Sequence, residues 1–398
     1  MREDWVETTL GDSCEFYNGK AHENQIDDNG EFIVVNSKFI SSNGIIIKKT
    51  NDALFPLYKN DIVMVMSDVP NGKALAKCYL IKEDNKYSLN QRICAIRSKK
   101  FNTKFLYYHL NRHPYLLSFD NGENQTNLRK NDILKSPLYI PPLPEQECIV
   151  AILDEAFEGI DRAIANTEKN LANSRELFES YLNAIFTQKG DGWEEKKLED
   201  ICSITSKLVD PRQPDFLDLP HVGAGNMISM TGELIEVKTA REEELKSGKF
   251  LFDETMVLYS KIRPYLMKSC RPEFSGLCSA DVYPLLPNNG QLNRDFLFHL
   301  LMSRNFTNYA IAGSERAGMP KVNRDHLFRY STWIPSLSEQ INIAQKIDEI
   351  ASESQRLETI YKQKNAALHE LKQCILQKAF TGELTADTPK TAEEEIAA

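Results

Sequence analysis

The strongest constraint on the fold of this chain is an internal repeat. Residues 140–187 and 334–381 align without a gap at an offset of 194, and fifteen positions are identical. The identical pairs are Ile140/Ile334, Pro141/Pro335, Leu143/Leu337, Glu145/Glu339, Gln146/Gln340, Ile149/Ile343, Asp154/Asp348, Glu155/Glu349, Arg162/Arg356, Ala172/Ala366, Glu176/Glu370, Leu177/Leu371, Leu182/Leu376, Phe186/Phe380 and Thr187/Thr381. The repeat predicts that the two copies have the same structure.

A shorter echo lies ahead of each copy, at an offset of 188. It pairs Trp5, Glu7, Leu10, Asp12 and Cys14 with Trp193, Glu195, Leu198, Asp200 and Cys202. The chain therefore alternates a variable region with a repeated segment, twice. This order predicts two similar surfaces related by an approximate two-fold axis, which is a geometry suited to a two-part target.

Each repeated segment is predicted to be a long helix. The first copy opens with proline and acidic residues, and in the second Ser336 and Glu339 fit a capping box. Apolar residues then recur at steps of three and four, as in an amphipathic helix. Each helix spans about 40 residues, or roughly 60 Å, so its apolar stripe needs a partner. We expect the two copies to pair antiparallel within the chain; a simple helical hairpin and a homodimeric coiled coil are the alternatives.

The two variable regions are predicted to be mixed and strand-rich. Short β-branched runs bounded by turn residues predict strands at 31–35, 44–47, 61–66 and 92–96 in the first region, and at 233–237, 255–259 and 281–286 in the second. Each region ends with a short helix, at 104–110 and 295–301. The predicted fold class is therefore α+β, with two such domains separated by two long helices in an antiparallel coiled coil.

The predicted boundaries come from these patterns. They are a first recognition domain at 1–141, a central helix at 142–190, a second recognition domain at 191–335, a distal helix at 336–384 and a polar, acidic, disordered tail at 385–398.

Charge is unevenly distributed along the 398 residues, whose net charge is −9. Residues 141–190 carry −5 and residues 334–398 carry −4, whereas residues 1–140 carry +2 and residues 191–333 carry −2. An acidic balance argues against DNA binding by the chain as a whole, so such binding would need local basic clusters or a basic partner. The sequence has no apolar run of the ~20 residues that span a bilayer and no signal peptide at Met1. We therefore expect a cytoplasmic protein.

The candidates for contact with DNA lie in polar loops at matched places in the two regions. Arg and Lys bind phosphates or guanine, and Asn and Gln can read adenine. The predicted DNA-binding residues are Lys261, Arg263, Tyr265, Lys268, Arg316, Lys321, Asn36, Lys38, Lys73, Asn124, Gln125, Asn127 and Arg129. Any one of them could instead belong to an ordinary solvated loop; their recurrence at matched places favours the set.

The sequence gives no credible active site. Asp215, Glu236 and Lys238 match a loose nuclease spacing, but the corresponding strand of the first region has no carboxylate. The seven histidines lack metal-ligand spacing. We predict neither catalytic nor metal-binding residues.

Three motifs together resemble a known family. They are Trp-x-x-x-x-Leu at Trp5 and Trp193, the run Lys261-Ile262-Arg263-Pro264-Tyr265, and Ile-Pro-x-Leu-x-Glu-Gln at the opening of each long helix. The chain, up to about Leu384, resembles the specificity (S) subunit of type I restriction-modification systems.

This resemblance implies a non-catalytic subunit whose two domains each read one half of a bipartite, asymmetric site in double-stranded DNA, while the helices set the gap. It also implies two modification (methyltransferase) subunits that carry S-adenosylmethionine and two restriction (translocase and nuclease) subunits that use ATP and Mg, with no cofactor on this chain. The repeated helix openings are the expected partner contacts: Glu145, Gln146, Glu339 and Gln340.

Three other functions remain open from the sequence. The chain could be the recognition subunit of a related methylation-based or phage-defence system without the nuclease. It could be a coiled-coil scaffold that binds no DNA. A self-contained nuclease is the enzyme alternative.

Overall fold

The structure is a computed structural model, and it describes residues 5–70, 72–98, 100–314 and 319–386. The chain forms two compact units. Unit 1 comprises Met1–Asn166 with Asn365–Ala398, and unit 2 comprises Thr167–Lys364. The two long helices are α6, Leu143–Thr187, and α11, Leu337–Thr381, and each is 45 residues long. Each unit therefore consists of one variable region together with a part of each long helix.

The remaining elements of unit 1 are short. Its strands are β1 Val6–Thr9, β2 Cys14–Asn18, β3 Phe32–Val35, β4 Lys49–Thr50, β5 Ile62–Val65, β6 Ser67–Asp68, β7 Cys78–Leu80, β8 Tyr87–Leu89, β9 Ile93–Ser98, β10 Thr126–Asn127 and β11 Pro137–Ile140. Its short helices are α1 Leu10–Ser13, α2 Ser37–Ser41, α3 Thr103–Leu110, α4 Pro114–Leu117 and α5 Lys130–Leu134. The main sheet has the order β2-β9-β5-β7, and a second sheet has the order β4-β3-β8.

Unit 2 has the same kind of architecture. Its strands are β12 Glu194–Lys197, β13 Cys202–Ser203, β14 Leu208–Val209, β15 Pro220–Val222, β16 Lys238–Thr239, β17 Lys249–Phe252, β18 Val257–Ser260, β19 Ser269–Cys270, β20 Gly276–Cys278, β21 Val282–Pro287 and β22 Ser331–Ile334. Its short helices are α7 Leu198–Ile201, α8 Arg294–Leu301, α9 Arg304–Ala312 and α10 Arg324–Phe328. The sheets have the orders β13-β21-β18-β19 and β14-β17-β20-β15-β16.

The two long helices pair antiparallel inside each unit. In unit 1, Glu145 near the start of α6 accepts a hydrogen bond from Thr385, just beyond the end of α11, and Asp161 pairs with Lys372 at 2.7 Å. In unit 2, Arg175 donates to Glu358 at 2.9 and 2.7 Å. The predicted fold class, α+β with long helices in an antiparallel coiled coil, is confirmed.

Apolar side chains of the helices complete the cores of the domains. The core of unit 1 contains Ile149, Leu153 and Phe157 of α6, and Ala379 of α11. The core of unit 2 contains Leu182 and Phe186 of α6, with Ala344 and Ile347 of α11. Burial of each leucine, isoleucine or phenylalanine side chain of this set is worth about 1.5–3 kcal/mol. The helices are therefore structural parts of the domains as well as connections.

Three predictions about local structure are wrong. Residues 44–47 form no strand; Ile45, Ile46 and Ile47 lie in an exposed connection between α2 and β4. Residues 233–237 form no strand either, because Glu236 has a left-handed backbone with φ of 49°. Thr385, predicted to lie in a disordered tail, is buried and bonded to Glu145; residues 387–398 lie outside the described residues.

No helix in the described ranges combines the length and the apolar character needed to cross a membrane.

Candidate nucleic-acid interface

In unit 2, two candidate segments that are far apart in sequence lie side by side. The hairpin loop between β18 and β19 contains Lys261, Arg263, Tyr265 and Lys268. The Arg263 amide donates to the Pro320 carbonyl at 2.9 Å, and the Val322 amide donates to the Lys261 carbonyl at 2.8 Å. The hairpin loop and the segment around Lys321 thus form one surface. Arg316 lies outside the described residues.

The lysines of this surface are held by internal partners. Lys321 Nζ lies 3.2 Å and Lys261 Nζ 3.6 Å from the same Asp281 carboxylate oxygen. Lys261 also lies over the Tyr283 ring, and Lys268 Nζ donates to the Ala224 carbonyl at 2.8 Å. Two ammonium groups facing one carboxylate leave a net positive charge. The three lysines therefore stabilise the conformation of this surface and also give it positive charge.

Arg263 and Tyr265 are presented differently. Both are exposed, and no side-chain bond of Arg263 is found among the described residues. Arg263 and Met267 both have φ of 49°, on either side of a short 3₁₀ turn. A left-handed backbone at residues other than glycine costs of order 1–3 kcal/mol and persists only where the surroundings impose it. The structure thus fixes the backbone of Arg263 while leaving its guanidinium available.

Unit 1 repeats this arrangement with different residues. Strand β10 pairs with β6, so that Asn127 lies opposite Ser67, and Gln125 Nε2 donates to the Ser67 hydroxyl at 2.8 Å. The predicted residues Asn124, Gln125, Asn127 and Arg129 line one shallow cavity of ≈ 380 Å³. The amide-rich segment ahead of α6 is therefore joined to the hairpin between β5 and β7. In both units, the segment ahead of the long helix (α6 in unit 1, α11 in unit 2) contacts the loop of a hairpin, which is β5–β7 in unit 1 and β18–β19 in unit 2.

The hairpin loop of unit 1 is organised by Asp68. Its carboxylate accepts from the backbone amides of Val69, Ala74 and Leu75 at 2.9, 2.7 and 3.1 Å. A Cβ atom on Gly72 would lie 2.1 Å from this carboxylate. The loop thereby holds Lys73 exposed, and its carbonyl accepts a bond of 2.6 Å from Arg112.

The two remaining candidates of unit 1 have different roles. The Asn36 side chain caps α2 by accepting from the Phe39 amide at 2.9 Å. Lys38, in the first turn of that helix, is exposed. Asn36 thus has a structural role that its position in the sequence did not reveal.

The repeated Glu-Gln pairs open each long helix in the same way. Trp5 Nε1 donates to Glu145 at 3.2 Å, and Trp193 Nε1 donates to Glu339 at 3.1 Å. This bond accounts for the tryptophan echo in the sequence.

The glutamines of these pairs lie inside their own units. Gln146 is 1% exposed and Gln340 is fully buried. Gln146 accepts from the Asn102 amide at 2.8 Å and donates to the Pro141 carbonyl at 2.8 Å. Gln340 makes the equivalent bonds, from Asn293 at 2.8 Å and to Pro335 at 3.0 Å, and a third to Gln291 at 2.9 Å. They join the helix to its domain and offer no surface to a partner; the exposed Glu339 and half-buried Glu145 are the accessible members of the set.

The repeated aspartates also join helix and domain, which the sequence did not predict. Asp154 accepts from Lys104 at 2.5 Å and from Tyr108 at 2.6 Å. Asp348 pairs with Arg271, and its Oδ1 lies 2.9 Å from His299 Nε2. Although burial opposes ionisation, the bonds from His299 and Arg271 hold the pKa of Asp348 well below its usual range.

A second group of identical positions is exposed in both copies. The pairs are Leu143/Leu337, Glu155/Glu349, Arg162/Arg356, Ala172/Ala366, Glu176/Glu370 and Leu177/Leu371. Leu177 and Leu371 are 70% and 47% exposed, and Leu143 and Leu337 are 55% and 37% exposed. Each unit carries six of these residues, three on each helix. Packing inside the units does not account for the identity of exposed leucines.

The residues of the loose nuclease spacing do not form a recognisable site. Glu236 lies in an exposed turn with a left-handed backbone and not in a strand. Within the part of the chain that the structure describes, no cluster of three or more His, Cys, Asp or Glu side chains could hold a metal ion.

Comparison with known proteins gives one consistent family. The sequence profile of the type I restriction modification DNA specificity domain matches residues 2–172 and 190–367. The type I restriction enzyme EcoDI specificity subunit of Escherichia coli is 27% identical, over 96% of this chain and 89% of that protein. The MjaVIII specificity subunit of Methanocaldococcus jannaschii is 20% identical, over 96% of this chain and 93% of that protein.

Solved structures with the same fold cover nearly all of the chain. A chain from a study of complex assembly and conformational transition in a type I R-M system superposes with a TM-score of 0.75 at 17% identity, over 96% of this chain and 99% of that one. The HsdS subunit from Thermoanaerobacter tengcongensis gives a TM-score of 0.58 at 18% identity, over 96% and 98%.

Proposed function

The chain belongs to the family of type I restriction modification DNA specificity domains, and on that premise we propose how its two units divide the work of recognition. It is a non-catalytic subunit that recognises a DNA sequence through two target-recognition domains, one in each unit. We propose that each unit reads one half of a bipartite site with the surface formed by its hairpin loop and the loop ahead of the long helix.

The observation that carries this assignment is the same joining of loops in both units. Backbone bonds connect the Lys261–Arg263 backbone to Pro320 and Val322 in unit 2, and β6 to β10 in unit 1. The backbone arrangement of the two loops is the same in both units, but the side chains differ. Two domains that recognise different DNA sequences need this combination. Phosphate contacts would position each unit, and contacts to base edges would specify the sequence.

The two surfaces differ in chemistry, which supports an asymmetric site. The surface of unit 2 presents Arg263 and Tyr265 beside lysines, whereas the surface of unit 1 presents the amides of Asn124, Gln125 and Asn127 beside Arg129. Arginine prefers the O6 and N7 edge of guanine, and amides prefer adenine. Two identical half-sites would contradict this interpretation.

We propose that the long helices dock two modification (methyltransferase) subunits and set the spacing of the half-sites. The exposed identical residues support this, because two equal copies of a surface suit two copies of one partner. S-adenosylmethionine would be carried by those subunits, and ATP and Mg by two restriction subunits. A related methylation-based or phage-defence system without the nuclease would use the same surfaces.

The test of recognition is a methylome. The chain is co-expressed with its methyltransferase, and methylated positions are mapped by single-molecule sequencing. We expect one split, non-palindromic motif. Replacing Arg263 and Tyr265 by alanine should abolish or relax methylation in one half of the motif only. The absence of any split motif would favour the scaffold function, and cleavage by the purified chain alone, lost in Asp215→Ala or Glu236→Ala, would favour the nuclease.

Docking is tested separately by substitutions that leave the domains intact. Leu177→Asp and Leu371→Asp should each reduce the number of bound methyltransferase subunits, as measured by mass photometry. Ile360→Asp is the matched control, because Ile360 is 43% exposed on α11 but has no identical counterpart in the other copy. Full assembly of both leucine variants would contradict the docking proposal.

A further inference from the structure

Unit 1 exposes an apolar segment outside its hairpin loop and the loop ahead of α6. Ile45, Ile46 and Ile47 are 83%, 53% and 45% exposed, in the connection between α2 and β4. Three adjacent β-branched side chains in water form an apolar patch of the kind that marks interaction surfaces. Packing among the described residues of unit 1 does not account for keeping them apolar.

The segment lies next to the hairpin loop of unit 1. Lys77 Nζ donates to the Ser41 carbonyl at 2.9 Å, at the end of α2. Lys77 follows directly on the turn that presents Lys73, and the Arg112 amide donates to the Ala76 carbonyl at 2.8 Å. The isoleucines are therefore close to the surface proposed to touch DNA, because residues 41–44 link Ile45 to the bond between Ser41 and Lys77.

In the stretch of chain that carries the isoleucines, every charged side chain is positive. Residues 36–50 contain three lysines, at 38, 48 and 49, and no Asp or Glu. Lys38 and Lys48 are exposed. Lys73 and Lys77 of the neighbouring hairpin loop, and Arg112, which bonds to the Lys73 carbonyl, add further positive charge. Such a combination of an apolar tip and a cationic rim fits the bases and phosphates of a nucleic acid better than it fits an uncharged protein surface.

Unit 2 provides an internal contrast. The corresponding stretch, the connection 223–237 together with β16, also exposes apolar side chains, Met230 and Ile235. It carries Glu233 and Glu236 with only Lys238, however, and Glu233 accepts a bond of 2.9 Å from Gln355 of α11. The apolar tip with a cationic rim is thus a property of unit 1.

We propose that Ile45, Ile46 and Ile47 form an apolar contact with base pairs of the DNA half-site bound by unit 1, with Lys38 and Lys48 on the flanking phosphates. This inference rests on the proposed function and adds a contact to it. The chemistry it requires is apolar base surface, which DNA offers as thymine methyl groups in the major groove or as an opened base step in the minor groove.

The test uses the full chain assembled with its methyltransferase subunits. The triple variant Ile45→Ser, Ile46→Ser, Ile47→Ser should bind the cognate duplex about tenfold more weakly or worse, by fluorescence anisotropy at fixed salt. The matched control is Met230→Ser with Ile235→Ser, which should bind with unchanged affinity. Thermal unfolding and assembly of the triple variant should equal those of the unsubstituted chain, because the side chains removed are exposed.

Two further measurements separate the sources of the contact. If thymine methyls are bound, duplexes with uracil in place of thymine in that half-site should bind the unsubstituted chain as weakly as the variant binds thymine DNA. If a base step is opened, the unsubstituted chain should bend the duplex in an end-to-end energy-transfer assay and the variant should not.

Unchanged cognate affinity in the triple variant overturns the proposal. A folded variant that no longer assembles with the methyltransferase also overturns it, since the segment would then be a protein-docking surface. Neither result touches the proposed function, which fails only if the unsubstituted complex methylates no split motif.

Discussion

Gln340→Leu is the substitution that most directly tests the structural role of the repeated glutamines. Leucine keeps most of the side-chain volume but can neither donate nor accept a hydrogen bond. The change removes three bonds at a fully buried site, from the Asn293 amide and to the carbonyls of Gln291 and Pro335. At about 1 kcal/mol net for each bond, the loss is about 3 kcal/mol. For a unit of this size, that corresponds to a melting temperature roughly 6–12 °C lower.

The assay follows unit 2 alone. The chain has three tryptophans, of which Trp5 lies in unit 1 and Trp193 and Trp333 lie in unit 2. In a Trp5→Phe background, tryptophan fluorescence during denaturant titration therefore reports the unfolding of unit 2. We expect the midpoint to fall for Gln340→Leu, whereas Glu339→Ala, which removes one exposed bond to Trp193, should cost under about 1 kcal/mol.

The opposite pattern would contradict this structural role of Gln340. If Gln340→Leu left the unfolding of unit 2 unchanged but weakened binding of the methyltransferase, the glutamine would be a partner contact, as its position in the repeat first predicted. Gln146→Leu provides a graded comparison in unit 1, because only two bonds are lost there. It should cost about 2 kcal/mol.

Three other perturbations have outcomes that the described residues predict. Burial, and secondly the neighbouring His113, lowers the pKa of His109 to about 3, and burial lowers the pKa of His113 to about 4. Because the unfolded chain binds these protons at a higher pH than the folded chain does, unit 1 should lose stability as the pH falls from about 6.5 toward 4. In thermal melts, His109→Leu should make the stability of unit 1 depend less on pH. Gly72→Ala should disturb the hairpin loop by collision with Asp68 and weaken cognate DNA binding while the melting temperature changes little; equal affinity would contradict the role of this loop. Arg263→Lys keeps the charge but loses the bidentate fork, so methylome sequencing should show relaxed preference at one base pair, worth about 1–3 kcal/mol, with an unchanged salt dependence of binding.

The repeat predicted the fold class because it fixed a large part of the topology at once. Two long amphipathic copies in one chain leave few ways to bury both stripes, and the observed helices of 45 residues pair as expected. The β-branched runs at β3, β5, β9, β18 and β21 form strands because each pairs with a neighbouring strand on both sides. Residues 44–47 have the same propensity, but Gly44 has φ of 86° and, among the described residues, no strand pairs with the three isoleucines after it. Propensity without a partner does not make a strand.

The places of the candidate loops were predictable from the sequence, but the contacts of their individual side chains were less so. Matched positions in the sequence located the loops, but not the fact that Asn36 caps a helix or that Lys268 binds a carbonyl. The burial of Gln146 had a usable signal. It precedes Ile149 by three residues and Leu153 by seven, so it lies on the buried face of α6. Because Gln146 is polar and is repeated beside Glu145, it was predicted to contact a partner protein instead.

The division of each long helix between the two units also sets the order in which the units can fold during synthesis. Unit 2 is one continuous stretch, residues 167–364, and can fold as soon as that stretch has left the ribosome. Unit 1 cannot, because Ala379 and Phe380 fill its core from a segment made about 200 residues after Asn166. The first domain to be translated is thus the last to be completed. During translation, the apolar face of α6 in unit 1 stays exposed to solvent until the last turns of α11 have been synthesised. In that interval a nascent chain of this kind is most accessible to chaperones and most prone to self-association.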